Sequence, residues 1–367
     1  MPPLRFQKTF ISDERYESAA VFDVDNDGVP DIVSGAYWYP GPRFDRKCKI
    51  GDVQAVGEYY DDFSTVPLDV NGDGYLDFIT GGWWGKTLYW RENPRGDPSK
   101  PWPMHKIAEF GNIETTRGWD VDGDGRVEIV PNTPGGPQRF YKLRTDSDGR
   151  GTGEFSEHVI SEGASGHGFG FGDVNGDGRG DIVLAKGWLE CPADPLGGPW
   201  TFHPEFDLGS ASCPVLVVDV NGDGLNDLIV GQAHGYGLDW WEQRRQGGRR
   251  AWVKHPIDPF NSQYHDLIWA DIDGDGQCEL ITGKRYRAHC GRDPGEYDPV
   301  GLYYFKWTGE GFAKQVIDYG PMRVGKGCGI HFAVADLHGT GRLDVVAPGK
   351  DGLALFRNLG YAHNMGD

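Results

Sequence analysis

Asp23-Val-Asp-Asn-Asp-Gly-Val-Pro-Asp31 is one copy of a phrase that runs through the whole chain. It returns as Asp69-Val-Asn-Gly-Asp-Gly-Tyr-Leu-Asp77, Asp120-Val-Asp-Gly-Asp-Gly-Arg-Val-Glu128 and Asp173-Val-Asn-Gly-Asp-Gly-Arg-Gly-Asp181. Two further full copies are Asp219-Val-Asn-Gly-Asp-Gly-Leu-Asn-Asp227 and Asp271-Ile-Asp-Gly-Asp-Gly-Gln-Cys-Glu279, and a worn seventh is Asp336-Leu-His-Gly-Thr-Gly-Arg-Leu-Asp344. The period is about 50 residues, that of a propeller blade and too long for most solenoids.

The flanks repeat too. A short apolar run such as Val215-Leu-Val-Val218 precedes the phrase and a β-branched run such as Ile182-Val-Leu184 follows it. Then come an aromatic strand (Gly301-Leu-Tyr-Tyr-Phe305) and a fourth strand (Phe312-Ala-Lys-Gln-Val-Ile317). Four short strands with glycine-rich turns, seven times over, predict an all-β, seven-bladed β-propeller in one domain. Phe6-Gln-Lys-Thr-Phe-Ile11 has a fourth-strand pattern with no strands before it, and the chain ends on a third strand at Phe356. The N-terminal strand is therefore expected to complete the last blade and remove its open edge.

Composition agrees with this. Of 367 residues, 57 are Gly and 24 Pro, with 13% aromatic residues, which excludes both a disordered chain and a helical bundle. No apolar run approaches the ~18 residues of a membrane span. No signal peptide is visible at the start; removal of one would place the protein outside the cytoplasm. The six cysteines show no CxxC spacing and do not fix the compartment.

The loops offer oxygen ligands at alternate positions and a fourth carboxylate four residues on, a pattern suited to a hard cation such as calcium. The ligand sets are Asp23, Asp25, Asp27 and Asp31; Asp69, Asn71, Asp73 and Asp77; Asp120, Asp122, Asp124 and Glu128; Asp173, Asn175, Asp177 and Asp181; Asp219, Asn221, Asp223 and Asp227; and Asp271, Asp273, Asp275 and Glu279. His338 and Thr340 replace two ligands in the seventh copy, which is expected to be weak or empty. Six structural calcium ions would carry +12 and move the formal charge from -19 to about -7. Net charge thus identifies no partner.

Residues about six positions before each loop should ring one mouth of the central channel. They are Glu17, Phe63, Glu114, His167, Cys213, His265 and Ile330, with His331 one residue on. Second strands return to the same mouth with Tyr37, Trp83, Trp84, Lys186, Trp188, His234, Lys284, Arg285 and Lys350. Aromatic faces cover sugar C–H groups while Lys, Arg and His bond the hydroxyls. His167, His265 and His331, with Glu17 or Glu114, could hold one zinc or manganese ion with an open position. The metal-free alternative is a His base with Lys or Arg on an anion and Tyr as acid. His105, His158, His203 and His255 read as structural, and Trp90, Trp240, Trp241 and Trp307 as packing between blades.

The loops and flanks resemble the FG-GAP/VCBS repeat over essentially the whole chain. Gln263-Tyr-His-Asp-Leu-Ile-Trp-Ala-Asp271 and Gly329-Ile-His-Phe-Ala-Val-Ala-Asp336 further resemble strand starts in the propeller of aldos-2-ulose dehydratases. That resemblance implies channel-mouth His residues beside a zinc ion. The fold is also similar to propeller polysaccharide lyases, such as the ulvan and rhamnosyl-glucuronate lyases, which use His with Arg or Tyr. The dehydratase's cupin domains have no counterpart in this sequence.

The expected function is a carbohydrate lyase acting by β-elimination, either dehydration of a keto-sugar or cleavage of a uronic-acid-containing glycan. His265 or His331 would be base or metal ligand, with His167 beside them and Lys284, Arg285 and Lys186 as anion partners. Tyr37, Trp83, Trp84, Trp188, His234, Glu17 and Glu114 would contact substrate. The alternative is a non-catalytic glycan- or protein-binding module on the same face. The expected partner is a carbohydrate, with no nucleic acid and no membrane; the oligomeric state is open. Two longer excursions, Arg43 to Tyr60 and Arg287 to Val300, could wall a pocket.

Overall fold

A computed structural model describes residues 3–163 and 166–361. Every regular element in it is a β-strand. The strands form antiparallel four-stranded units, two of which join into one eight-stranded sheet through parallel pairing of Gly170 with Val215 and Phe171 with Leu216. In chain order the units, called blades 1 to 7 below, begin with Ala20–Phe22, Val66–Leu68, Thr115–Trp119, Phe169–Gly172, Val215–Val218, Tyr264–Ala270 and Ala333–Ala335. The fold is a β-propeller.

Leu4–Ser12 pairs antiparallel with Leu353–Tyr361, the third strand of blade 7, with Lys8 opposite Phe356 and Thr9 opposite Leu355. The first strand of the chain is therefore the outer strand of the last blade, and no edge is left open there. The pairing extends somewhat beyond the expected Phe6–Ile11.

The second strands are apolar on both faces, as in Asp227–Gly231 and Asp344–Ala347, because each blade is covered by a neighbour on either side. The core accordingly lies in the seams. One cluster joins Val130 and Phe140 of blade 3 to Phe169, Ile182 and Leu189 of blade 4; another joins Ile281 and Leu302 of blade 6 to Val345 and Phe356 of blade 7.

Each acidic loop links the outer end of a first strand to the start of a second. Its first Asp accepts backbone amides from within the turn: Asp23 takes those of Asp27 at 3.1 Å and Gly28 at 2.8 Å. The glycine at the sixth position has φ between 73° and 87° in all seven copies, a left-handed conformation that a side chain resists. The ninth carboxylate ties the turn to the sheet. Asp31 accepts the amides of Val24 at 2.9 Å and Gly41 at 2.8 Å. Antiparallel alternation then places the starts of first strands and the ends of second strands together on the face opposite the loops.

Candidate active site

Three imidazoles and one carboxylate from four blades converge at that face. Glu114 precedes the first strand of blade 3, His167 that of blade 4, and His234 follows the second strand of blade 5; His265 lies on the first strand of blade 6. His167 Nε2 and His265 Nε2 approach Glu114 Oε1 at 3.3 and 3.2 Å, and His234 Nε2 lies 2.9 Å from His167 Nε2. One donor atom from each of the four residues lies within 4.8 Å of the others.

The outer nitrogens decide what the inner ones can do. His167 Nδ1 faces the carbonyl oxygen of Ala211 at 2.8 Å, and His234 Nδ1 faces Asp293 Oδ2 at 3.0 Å. Both of those oxygens are acceptors, so each Nδ1 carries the proton and each Nε2 presents a lone pair. Two lone pairs 2.9 Å apart repel unless a cation or a proton lies between them. The buried Nδ1 of His265 has no partner among the described residues. A zinc or manganese ion on the three Nε2 atoms and Glu114 Oε1 fits this donor set, with a carbonyl and a carboxylate orienting His167 and His234 from outside.

The electrostatics agree. Burial first, then the neighbouring His167, His265 and Arg285 charges, push His234 far below the ordinary imidazole value, so it stays neutral. Burial likewise brings His265 down to about 3. Burial opposes the charge on Glu114, but the neighbouring imidazoles of His167 and His265 outweigh it and hold it well below the usual carboxylate range.

Asp293 carries a second imidazole. Its Oδ1 accepts from His289 Nδ1 at 2.8 Å, and the His289 ring stacks on that of His234 with centroids 4.0 Å apart and planes 9° from parallel. His289 is about half exposed, with its Nε2 unengaged by any described hydrogen bond. It lines a cavity of about 580 Å3 together with Glu114, Arg285, Tyr59, Trp83 and Trp84. Tyr59 donates to the carbonyl of Ala288 at 2.9 Å, fixing one loop against the other. Both excursions seen in the sequence thus wall this cavity.

Arg285 completes the site from beneath. Its Nε and Nη2 donate to Glu17 at 2.8 and 3.2 Å, while Nη1 lies 4.0 Å from Glu114 Oε1. Lys350 Nζ reaches the same Glu17 at 3.1 Å. Deeper in the channel, Arg117 bonds Asp266 Oδ1 at 2.7 Å and the carbonyl of Cys213.

Several sequence expectations need correction. Glu17 is 2% exposed and serves as counter-ion to the buried Arg285 and Lys350. His331 stays out of the imidazole group and instead faces the Thr65 amide at 3.4 Å, and His234 is the third imidazole of the group. Lys284 is buried and spends its ammonium on Ser262 Oγ and the Gly295 carbonyl, bracing the 287–299 loop. Lys186 is exposed beside a separate cavity with Ser161 and Phe202. Trp188 is 1% exposed and stacks on His203 at 4.3 Å, a packing ring and no sugar platform. Tyr37 packs near Tyr16 and under Lys47, away from the cavity. His105, His203 and His255 stack on Trp90, Trp188 and Trp240 while bonding Glu92, Glu190 and Glu242 at 2.7 Å, a structural device repeated in three blades.

His289, Asp293 and Tyr59 were not singled out in the sequence. They sit in stretches that do not repeat from blade to blade, so only the length of those excursions marked them.

The model of the FG-GAP-like repeat family matches residues 69–131, 120–184 and 219–282, just under half of the chain. The chain carries FG-GAP-like repeats. No curated protein sequence matches it significantly. Among solved structures, BBS1N in complex with ARL6DN aligns over 98% of this chain and 97% of its own at 12% identity and a TM-score of 0.56. An Agrocybe aegerita lectin that recognises non-reducing terminal N-acetylglucosamine aligns over 98% and 94% at 16% identity and a TM-score of 0.51. The rhamnogalacturonan lyase YesW aligns over 97% and 74% at 14% identity and 0.49, too low to bear on function. At these identities the FG-GAP repeats and the likenesses establish the propeller fold alone.

Proposed function

We propose that this propeller is a carbohydrate lyase that performs β-elimination in the cavity above Glu114, His167, His234 and His265. One observation carries the reading: three Nε2 atoms and a carboxylate converge directly below a cavity that also presents an oriented, unengaged imidazole and aromatic rings. A sugar ring lies against Trp83, Trp84 and Tyr59, whose faces cover its C–H groups. A metal ion held by the four residues would supply Lewis acidity toward a carbonyl or carboxylate oxygen.

His289 is the base. Asp293 fixes its Nδ1 as the donor, so Nε2 accepts the proton from the carbon next to the carbonyl or carboxylate. The electron pair left on that carbon forms the new double bond as the β-carbon–oxygen bond breaks. The leaving oxygen takes up a proton and departs as water or as the hydroxyl of a glycosyl fragment. Arg285, held by Glu17, keeps positive charge beneath the developing anion.

The test is incubation of the protein with uronic-acid glycans and with keto-sugars, followed by mass analysis of products. The expected product of glycan cleavage has a new double bond and is lighter by one water than the hydrolytic fragment. Tight sugar binding with no such product from either class would favour the binding-module reading, which the aromatic wall alone would satisfy.

A further inference from the structure

The six complete acidic loops are not equivalent. In blades 2, 4 and 5 the ninth residue is Asp, and the strand register, one step beyond Phe78–Arg91, Ile182–Leu189 and Leu228–Trp241, sets Glu92, Glu190 and Glu242 opposite it. Both oxygens of these Asp residues are taken by backbone amides. Asp77 accepts from Val70 at 2.9 Å and Asn93 at 2.7 Å, and Asp181 from Val174 at 2.8 Å and Cys191 at 2.9 Å.

Blades 3 and 6 differ in two coordinated ways. Their ninth residue is Glu, and the residue opposite, one step beyond Ile129–Tyr141 and Leu280–Phe305, is Lys. The longer side chain still caps the turn with one oxygen: Glu128 Oε2 accepts from Val121 at 2.8 Å and Glu279 Oε2 from Ile272 at 3.2 Å. Its extra methylene carries the other oxygen past the strand amide to an ammonium. Lys142 Nζ lies 2.7 Å from Asp122, 2.8 Å from Asp124 and 2.9 Å from Glu128. Lys306 Nζ contacts Asp273, lies 2.6 Å from Asp275 and 3.3 Å from Glu279. Each ammonium thus touches the third, fifth and ninth loop positions, the oxygens on which a bound cation would draw.

No other complete loop has this arrangement among the described residues. Arg95, exposed, and Arg179, half-buried, approach Asp73 and Asp177 at the fifth position only. A lysine needs no dehydration of a divalent ion and is covalently present at all times, so it neutralises the carboxylates whatever the calcium concentration.

We propose that Lys142 and Lys306 are built-in cations that stand in place of calcium in loops 120–128 and 271–279. Those two loops are therefore metal-independent, and calcium dependence is confined to loops 23–31, 69–77, 173–181 and 219–227. This differs from the expectation of six equivalent calcium sites, and the ligand sets Asp120, Asp122, Asp124, Glu128 and Asp271, Asp273, Asp275, Glu279 are reassigned accordingly.

The test counts bound calcium by equilibrium dialysis and follows melting with and without chelator, in the full chain and in Lys142→Met and Lys306→Met. Each variant is expected to bind one more calcium than the unsubstituted chain and to melt lower in chelator, with calcium restoring the loss. Unchanged stoichiometry in both variants overturns the proposal, as does an unsubstituted chain that already binds six. Hydrogen exchange of the unsubstituted chain decides the matter should neither variant fold. Amides of the two lysine-filled loops are expected to be equally protected with and without calcium, while those of the other four gain protection. A calcium-dependent gain in all six loops overturns it.

Discussion

If His289 is the base of the proposed elimination, replacing it with Ala is expected to lower kcat by about 100- to 10,000-fold, the usual worth of a positioned general base. KM is expected to change by only a few-fold, because in the proposed binding mode the sugar rests on the aromatic wall. Any metal content of the variant is expected to equal that of the parent, since His289 lies outside the group of Glu114, His167, His234 and His265. Asp293→Asn is expected to give a similar loss by another route. The amide can no longer accept at both oxygens, so the tautomers of His234 and His289 are no longer fixed. Steady-state kinetics with a substrate identified by the product assay check both. A loss below about tenfold in His289→Ala would remove this residue from the base role.

The second large effect is on stability. Glu17 is buried between Arg285 and Lys350, themselves 3% and 6% exposed. Glu17→Gln leaves two buried cations short of their counter-ion, a change that costs about 3–5 kcal/mol when a buried pair is broken. Urea unfolding of the variant at neutral pH measures it. The parent carries a matching pH signature. Burial works against the Glu17 charge, but Arg285 and Lys350 outweigh it and lower its pKa from 4.5 to about 2. The folded state therefore binds this proton less readily than the unfolded state. The contribution is fully present above about pH 4.5 and is lost as pH falls toward 2. Glu17→Gln should flatten that limb of the stability profile. A variant that unfolds at the parent's denaturant midpoint would mean the triad contributes nothing net.

The propeller was legible because its determinants repeat. Sixth-position glycines, acidic first positions and β-branched second strands recur, so each copy corroborates the next, and the unmatched Phe6–Ile11 pattern disclosed the closure. The site was legible in half. Glu114, His167 and His265 occupy one slot of the repeat and do meet, and Arg285 lies beside them. His331 lies one residue past that slot, which Ile330 fills, and its ring faces Thr65 and Arg117 instead. Lys284 ends its second strand but points into the blade, because alternation along a strand sends neighbours to opposite faces, and Trp188 lies on the third strand of blade 4 rather than the second. His289 and Asp293 lie in an excursion with no counterpart in other blades, so no comparison between copies could assign them. The lysines of blades 3 and 6 were visible in the sequence as residues, but their partnership with a ninth-position Glu emerges only from strand register.

The proposed chemistry rests on a transition metal that His167, His234, His265 and Glu114 would hold together. The most direct measurement is the elemental content of the purified full chain, with zinc, manganese and calcium quantified per chain, beside His234→Ala and His265→Ala. The account predicts about one equivalent of zinc or manganese in the parent, retained when calcium is stripped under mild chelation and lost from both variants while the fold persists. A folded, unsubstituted chain that takes up no transition metal when zinc and manganese are supplied would contradict it.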